Sequence, residues 1–137
     1  RKEKRESIAI APDDAVVRRR VLLMEDDYNQ RRLYTRVLRN AGYRVEEAGT
    51  IKEAHDLIGQ RPFGVFLCDI HMGRERGTDL VREQKTVLDE NGTQVIMISA
   101  DTQYRSICRE MGIQEYLEKP VSLMQLVQVV NRVVDRK

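Results

Sequence analysis

Five times between Arg20 and Val134 a short apolar run gives way to a turn and then to a stretch whose apolar residues recur at helical spacing. That beat constrains the fold more than any other feature, because strands alternating with helical segments imply βα units and a parallel sheet. The runs are Val21–Met24, Tyr43–Ala48, Val65–Asp69, Gln94–Ile98 and Ile113–Leu117. With right-handed crossovers, five such units make an open α/β sheet with helices on both faces, a doubly wound (βα)5 architecture. The first helix should bury Leu33, Val37, Leu38 and Ala41 and stop at Gly42, leaving an arginine-rich polar face. Thr50 is a plausible cap for a second helix with Ala54, Leu57 and Ile58 inside, ended by Arg61-Pro62. Residues Ile70 to Gly77 read as a loop. A third helix from about Thr78 carries Leu80, Val81, Val87 and Leu88 and closes at Asn91-Gly92. A fourth, Tyr104 to Met111, turns Ile107, Cys108 and Met111 inward, and a fifth runs from about Ser122 to Val134 on Leu123, Leu126, Val127, Val130, Val133 and Val134.

The third run, Val65-Phe66-Leu67-Cys68-Asp69, is apolar until it ends in a carboxylate. A strand buried on both faces reads as a continuous apolar run, and ligands of open α/β sheets bind outside the carboxyl ends of the strands. Asp69 is therefore placed as a site residue, with helix capping as the plainer alternative. The same edge gathers Glu25, Asp26 and Asp27 after the first run, Ser99 after the fourth and Lys119 after the fifth. Each alone has a dull explanation: a cap for Asp26, Asp27 or Ser99, a surface lysine for Lys119. Together they put three carboxylates, a hydroxyl and an ammonium on one sheet edge. Clustered carboxylates repel, and a divalent cation relieves the repulsion. Oxygen ligands without His or Cys point to Mg²⁺, which keeps waters and takes a further contact from phosphate. In such a site Lys119 would neutralise a phosphoryl group, Ser99 would hydrogen-bond it, and Asp69 would be the nucleophile. No glycine-rich loop ending in lysine is present, which argues against a nucleotide hydrolase.

The remaining composition narrows the class. A chain of 137 residues, 41% hydrophobic and 34% charged, is one domain's worth of soluble globular sequence, with no apolar run of bilayer length and no secretory signal. The net charge of +2 owes much to Arg1-Lys2, Lys4-Arg5 and Arg18-Arg19-Arg20; without interleaved aromatics these read as solvated flanks, and no direct nucleic-acid binding is expected. Cys68 and Cys108 have no neighbours at metal-ligand spacing and fit a reducing, cytoplasmic setting. Residues 1–18, starting with Arg and holding Pro12-Asp13-Asp14, read as a linker or N-terminal extension of a segment excised from a longer protein.

On these residues the chain resembles the receiver domain of two-component response regulators. The matching motifs are Glu25-Asp26, Asp69-Ile70-His71-Met72, Ser99-Ala100 and Tyr116-Leu117-Glu118-Lys119-Pro120, in order and at fitting separations. The resemblance covers roughly Arg20 to Val134, so that 19–137 would be the receiver. It implies the flavodoxin-like strand order 2-1-3-4-5. It also implies Asp69 as phosphoacceptor, and Mg²⁺ held by Glu25, Asp26, Asp69 and the backbone carbonyl of His71. Ser99 and Tyr116 would be the switch pair, Lys119 the phosphate contact, and the Lys119-Pro120 bond cis, as proline permits. Partners so implied are a histidine kinase or a histidine phosphotransfer domain, with a homodimer through the valine-rich last helix also open. The domain would catalyse its own phosphorylation, and the parent expected is a hybrid sensor histidine kinase carrying it as a C-terminal receiver. The family often has Pro-Gly after the methionine, where this chain has Gly73-Arg74-Glu75-Arg76-Gly77, a more charged loop. Two rival readings stand beside this one. A non-phosphorylated pseudo-receiver that only docks proteins should have lost an acid, the hydroxyl or the lysine. A flavin-binding relative should have a Ser/Thr/Gly-rich loop where this chain has three acids.

Overall fold

A computed structural model describes residues 15–136. Five parallel strands, β1 (Arg20–Met24), β2 (Arg44–Ala48), β3 (Val65–Asp69), β4 (Gln94–Ser99) and β5 (Glu115–Glu118), form one sheet in the order β2-β1-β3-β4-β5. This is the doubly wound arrangement and strand order expected. Helices α1 (Tyr28–Asn40) and α5 (Leu123–Asp135) lie on one face. The other face carries α2 (Ile51–Gln60), α3 (Gly77–Glu83, continued past Gln84 by Lys85–Glu90) and α4 (Tyr104–Glu110).

The alternation of β1 shows why the sheet needs both layers. Val21 and Leu23 join the cluster with Leu38, Leu126 and Val130, while Leu22 and Met24 join the cluster with Ala54, Phe66 and Met97. Successive side chains of a strand point to opposite faces, so a strand apolar at every position is stable only between two helical layers. Register then fixes the site. Met24 pairs with Cys68, which brings Glu25 level with Asp69; Asp69 pairs with Ile98, and Ser99 with Glu118. The polar residues following the apolar runs therefore stand in one row.

Several local expectations shift. Leu33 is exposed, and Tyr34 and Thr35 are buried instead, because the inward stripe of α1 runs through Tyr34, Val37, Leu38 and Ala41. Ile107 and Val87 are each 37% exposed, while Cys108 and Leu88 are buried. β2 and β5 begin later than their apolar runs for a shared reason. Gly42 (φ +96) and Gly112 (φ +82) are left-handed, and Tyr43 and Ile113 donate their N–H groups back to Leu38 and Cys108, closing the preceding helix before the strand opens. In α5 the valines turn into the core, leaving Met124 as its exposed apolar side chain. The stretch read as loop holds a two-residue antiparallel pairing, His71–Met72 with Glu75–Arg76. Of the extension expected over 1–18, residues 1–14 lie outside the described residues. Ala15–Arg18 form a helical turn that buries Val17 and lays the Arg18 backbone on Gly64. Among the described residues no helix is long and apolar enough to cross a membrane.

Candidate functional site

Three carboxylates meet at the carboxyl edge of the sheet. Glu25 and Asp69 are only 2% and 3% exposed, Asp26 is exposed, and one oxygen from each lies within 4.8 Å of the others. β1 and β3 place the first and last of these by register, and Asp27 fixes the turn between them and α1. Its side chain caps α1 by accepting from the Gln30 N–H at 2.9 Å, and its own N–H donates to Glu25 Oε2 at 3.1 Å. The role expected of Asp27, starting the helix, is the one it has.

The counter-charge is Lys119, which enters from the end of β5 through a cis Lys119-Pro120 bond. Its Nζ donates to Glu25 Oε1 at 3.0 Å and to Asp69 Oδ2 at 3.1 Å. One ammonium thus serves two buried carboxylates, and the balance is unfavourable. Burial pushes the Glu25 carboxyl up to about 7; the Asp27 N–H opposes that rise, the Asp69 charge adds to it, and Lys119 opposes it. Asp69 is also raised, by burial first, with Lys119 pulling the other way. Lys119 is itself raised, because the two carboxylates outweigh its own burial. A buried acid pair beside a third carboxylate offers hard oxygen donors and concentrated negative charge to a cation. Glu25, Asp26 and Asp69 fit Mg²⁺ on that ground.

By register, Ser99 sits one position beyond the level of Asp69 and Tyr116 one position before it. Ser99 is fully buried, and its Oγ accepts the Asp101 N–H at 2.9 Å. Tyr116 donates its hydroxyl to the Asp101 carbonyl at 2.6 Å, with the Arg105 guanidinium 4.7 Å from its ring centroid. Both groups are therefore tied to one backbone residue. The His71 ring stands at the rim, with Nε2 4.0 Å from Asp101 Oδ2 and its edge against the Tyr104 ring at 5.3 Å. Arg76 Nε donates to the Tyr104 hydroxyl at 3.2 Å, completing a clasp between the loop after Asp69 and the start of α4.

Two contributors escaped the motif reading. Gly77 packs so tightly that a Cβ there would lie 2.4 Å from the Asp69 carbonyl oxygen and 2.6 Å from Cys68 Sγ, and its N–H donates to the Ile70 carbonyl at 2.7 Å. Its spacing after the acid was the only available signal. The Tyr104–Arg76–His71 clasp has none, since its members belong to separate elements and follow no local pattern.

Comparison with known proteins agrees with this geometry. The family model described as "Response regulator receiver domain" matches residues 21–131. "Transcriptional regulatory protein PdtaR" of Mycobacterium tuberculosis is 31% identical over 126 residues, 90% of this chain and 60% of that protein. "Peroxide stress-activated histidine kinase mak2" of Schizosaccharomyces pombe is 32% identical over 122 residues, 82% of this chain and 5% of that protein. The chain thus spans little more than half of one relative and a small part of the other. Among solved structures, a receiver domain protein from Methanospirillum hungatei superposes with a TM-score of 0.79 at 25% identity, covering 85% of this chain and 94% of that one.

Proposed function

The chain belongs to the response regulator receiver domain family, and on that premise we propose that Asp69 is its phosphoacceptor, served by Glu25, Asp26, Ser99, Tyr116 and Lys119. The observation that carries this reading is the Lys119 ammonium shared between Asp69 and Glu25 at the centre of a three-carboxylate cluster. Lys119 holds Asp69 Oδ2, which leaves Oδ1 to attack phosphorus. With a phosphohistidine donor the new P–O bond forms as the P–N bond breaks, and the leaving imidazole takes its proton from water. Mg²⁺ held by Glu25, Asp26, Asp69 and the His71 carbonyl would supply charge neutralisation for the phosphoryl oxygens. Lys119, already in place, stabilises the negative charge that reaches Asp69. Ser99 is 0% exposed, and its hydroxyl proton is directed at the Asp101 carbonyl at 3.5 Å, so donating to a phosphoryl oxygen requires that proton to turn away from it. Asp101 also holds Tyr116, and the turn thereby reaches the surface between α4 and β5.

The donor is a histidine kinase or a histidine phosphotransfer domain. The similarity to a histidine kinase over 5% of that protein's length supports a hybrid-kinase parent, with residues 1–18 as the linker and 19–137 as the receiver. The free cysteines Cys68 and Cys108 support a cytoplasmic setting. A homodimer would draw on the exposed Met124 of α5, and sedimentation velocity with and without beryllofluoride tests it.

Intact-mass spectrometry after incubation with acetyl phosphate, with and without Mg²⁺, tests the main reading. A single Mg²⁺-dependent phosphoryl adduct is expected in the unsubstituted protein and none in Asp69→Asn. Failure to form the adduct, together with failure to bind beryllofluoride, would overturn it.

A further inference from the structure

One arginine of α1 reaches back to the acidic turn. Arg31 sits one turn into the helix, its N–H on the Asp27 carbonyl at 2.9 Å, where helical side chains lean toward the N-terminus. Its Nη1 donates to the Glu25 carbonyl oxygen at 2.7 Å, and its Nε to Glu47 Oε1 on β2 at 3.0 Å. The planar fork of the guanidinium thus spans two acceptors, one just past β1 and one on the neighbouring strand. The Arg31 and Glu47 side chains are only 15% and 17% exposed, so this is a held pair and not a solvated one. Two further contacts frame it: the Tyr28 ring, whose centroid is 5.5 Å from Cζ, and Gly49, where a Cβ would stand 2.9 Å from Nη1.

The Glu25 carbonyl is where the ladder between β1 and β2 ends. The Glu25 N–H still pairs with the Ala48 carbonyl at 3.0 Å, but β2 stops at Ala48, and the Gly49 N–H turns away to Glu53 Oε1 at 2.7 Å. The guanidinium supplies the donor that the Glu25 carbonyl takes instead. That carbonyl belongs to the peptide joining Glu25 to Asp26, and a planar peptide held at its oxygen fixes the direction in which the chain leaves. The Glu25 and Asp69 carboxylates are held by Lys119, whereas Asp26 is exposed and takes its place from its backbone. The bond from Arg31 therefore acts on the one carboxylate of the cluster that Lys119 does not hold.

We propose that Arg31 is a positioning residue for the cation: its guanidinium ties the Glu25-Asp26 peptide to β2 and so sets where the Asp26 carboxylate stands relative to Glu25 and Asp69. The proposal rests on the receiver reading of the site and deepens it. Mg²⁺ demands a near-octahedral array at about 2.0–2.1 Å, whereas Ca²⁺ accepts oxygens at about 2.3–2.6 Å in flexible geometry. Loosening Asp26 therefore costs Mg²⁺ more than Ca²⁺. Charge alone would act with the opposite sign. Deleting a cation beside three carboxylates, and stripping Glu47 of one of its two arginines, would tighten the binding of either ion.

Calorimetric titration with Mg²⁺ and with Ca²⁺ tests this on Arg31→Met, Arg31→Lys and Gly49→Ala, each first shown to melt cooperatively in a metal chelator. Arg31→Met should bind Mg²⁺ about tenfold more weakly, the scale of a lost outer-shell partner, with Ca²⁺ affinity changed much less. Arg31→Lys keeps the charge without the fork and should lose Mg²⁺ affinity in the same way. Gly49→Ala keeps every polar group but displaces Nη1; it should weaken Mg²⁺ binding in the unsubstituted background and have no further effect in Arg31→Met. Should Arg31→Met fail to fold, Arg31→Lys and Gly49→Ala make the same comparison. Mg²⁺ affinity that is unchanged or tighter in Arg31→Met overturns the proposal, as does an equal loss for both ions. Full Mg²⁺ affinity in Arg31→Lys also overturns it, and so does a Gly49→Ala effect that persists without the guanidinium. Absence of any Mg²⁺ binding by the unsubstituted protein overturns the site reading first and the proposal with it.

Discussion

Removing the metal should make this protein less stable as pH rises toward neutrality, the reverse of the usual acid side of a stability profile. The cause is Glu25, whose carboxyl is pushed up to about 7 in the folded chain from an ordinary value of 4.5. Between those values the folded state binds the proton that the unfolded state has released, so stability falls with pH across that window. The favourable contribution is complete below about 4.5 and lost by the time pH passes 7. At about 1.4 kcal/mol per pKa unit the change amounts to about 3 kcal/mol. Glu25 is 2% exposed, so solvent screening does not discount it. Asp69, also raised, acts in the same direction from its own lower starting point. Lys119 is raised above 10.5, and its contribution is lost only in alkali. For a domain of this size, roughly 3–5 °C of melting temperature accompanies each kcal/mol, so melting in a metal chelator should drop by about 10 °C between pH 5 and pH 7.5. Glu25→Gln should flatten the profile. Mg²⁺ should restore more stability at pH 7.5 than at pH 5, since protons compete with it at Glu25. A metal-free melting temperature that rises over this range, or an undiminished slope in Glu25→Gln, would refute the reasoning.

Three further perturbations probe the rest of the site. Gly77→Ala drives a Cβ against the Asp69 carbonyl and Cys68 Sγ; denaturant unfolding should show a loss of about 1–3 kcal/mol, and acetyl phosphate labelling of Asp69 should slow. Lys119→Met leaves Glu25 and Asp69 without their cation, and single-turnover phosphotransfer measured by intact mass should fall about 10²–10³-fold while Mg²⁺ binding persists. Tyr116→Phe removes the hydroxyl held by the Asp101 carbonyl at a cost of about 1 kcal/mol, and hydrogen exchange at α4 should then respond less to beryllofluoride than in the unsubstituted protein.

The parallel sheet and the row of polar residues at its edge were legible because β1, β3 and β4 are apolar at nearly every position and stop abruptly at Glu25, Asp69 and Ser99, whereas the strand order came from the family resemblance. A parallel strand packed on both faces leaves no ambiguity about which residue is the first polar one. Helix faces were less legible. Leu33 and Tyr34 are adjacent and both apolar enough to bury, and only the direction in which α1 faces the sheet decides between them. Tyr43 and Ile113 looked like strand residues; their backbone N–H groups close the preceding helices, which side-chain pattern does not report. The clasp of Arg76, Tyr104 and His71 joins residues up to 33 positions apart and had no periodic signature at all.

On the proposed function, the same ammonium would serve both states of the site, and that would give the switch its logic. Among the described residues, Lys119 is the only cation within hydrogen-bond reach of the buried Glu25 and Asp69 carboxylates, and it compensates them incompletely, since burial raises the proton affinity of both. A ligand moves a two-state equilibrium only by what it gains in one state over the other. Here the gain is large because the unloaded site is held with too little positive charge. Ser99 accepts the Asp101 N–H and directs its own proton at the Asp101 carbonyl, the oxygen that also accepts from Tyr116. If Asp69 is the phosphoacceptor proposed, charge arriving there would draw on Lys119 and Ser99 together, and Ser99 shares the Asp101 carbonyl with Tyr116. On the proposed function, the charge imbalance at the strand ends and the hydrogen bonds that join Ser99 and Tyr116 through Asp101 would be parts of one arrangement, set by the register that brings Glu25, Asp69 and Ser99 to the same edge.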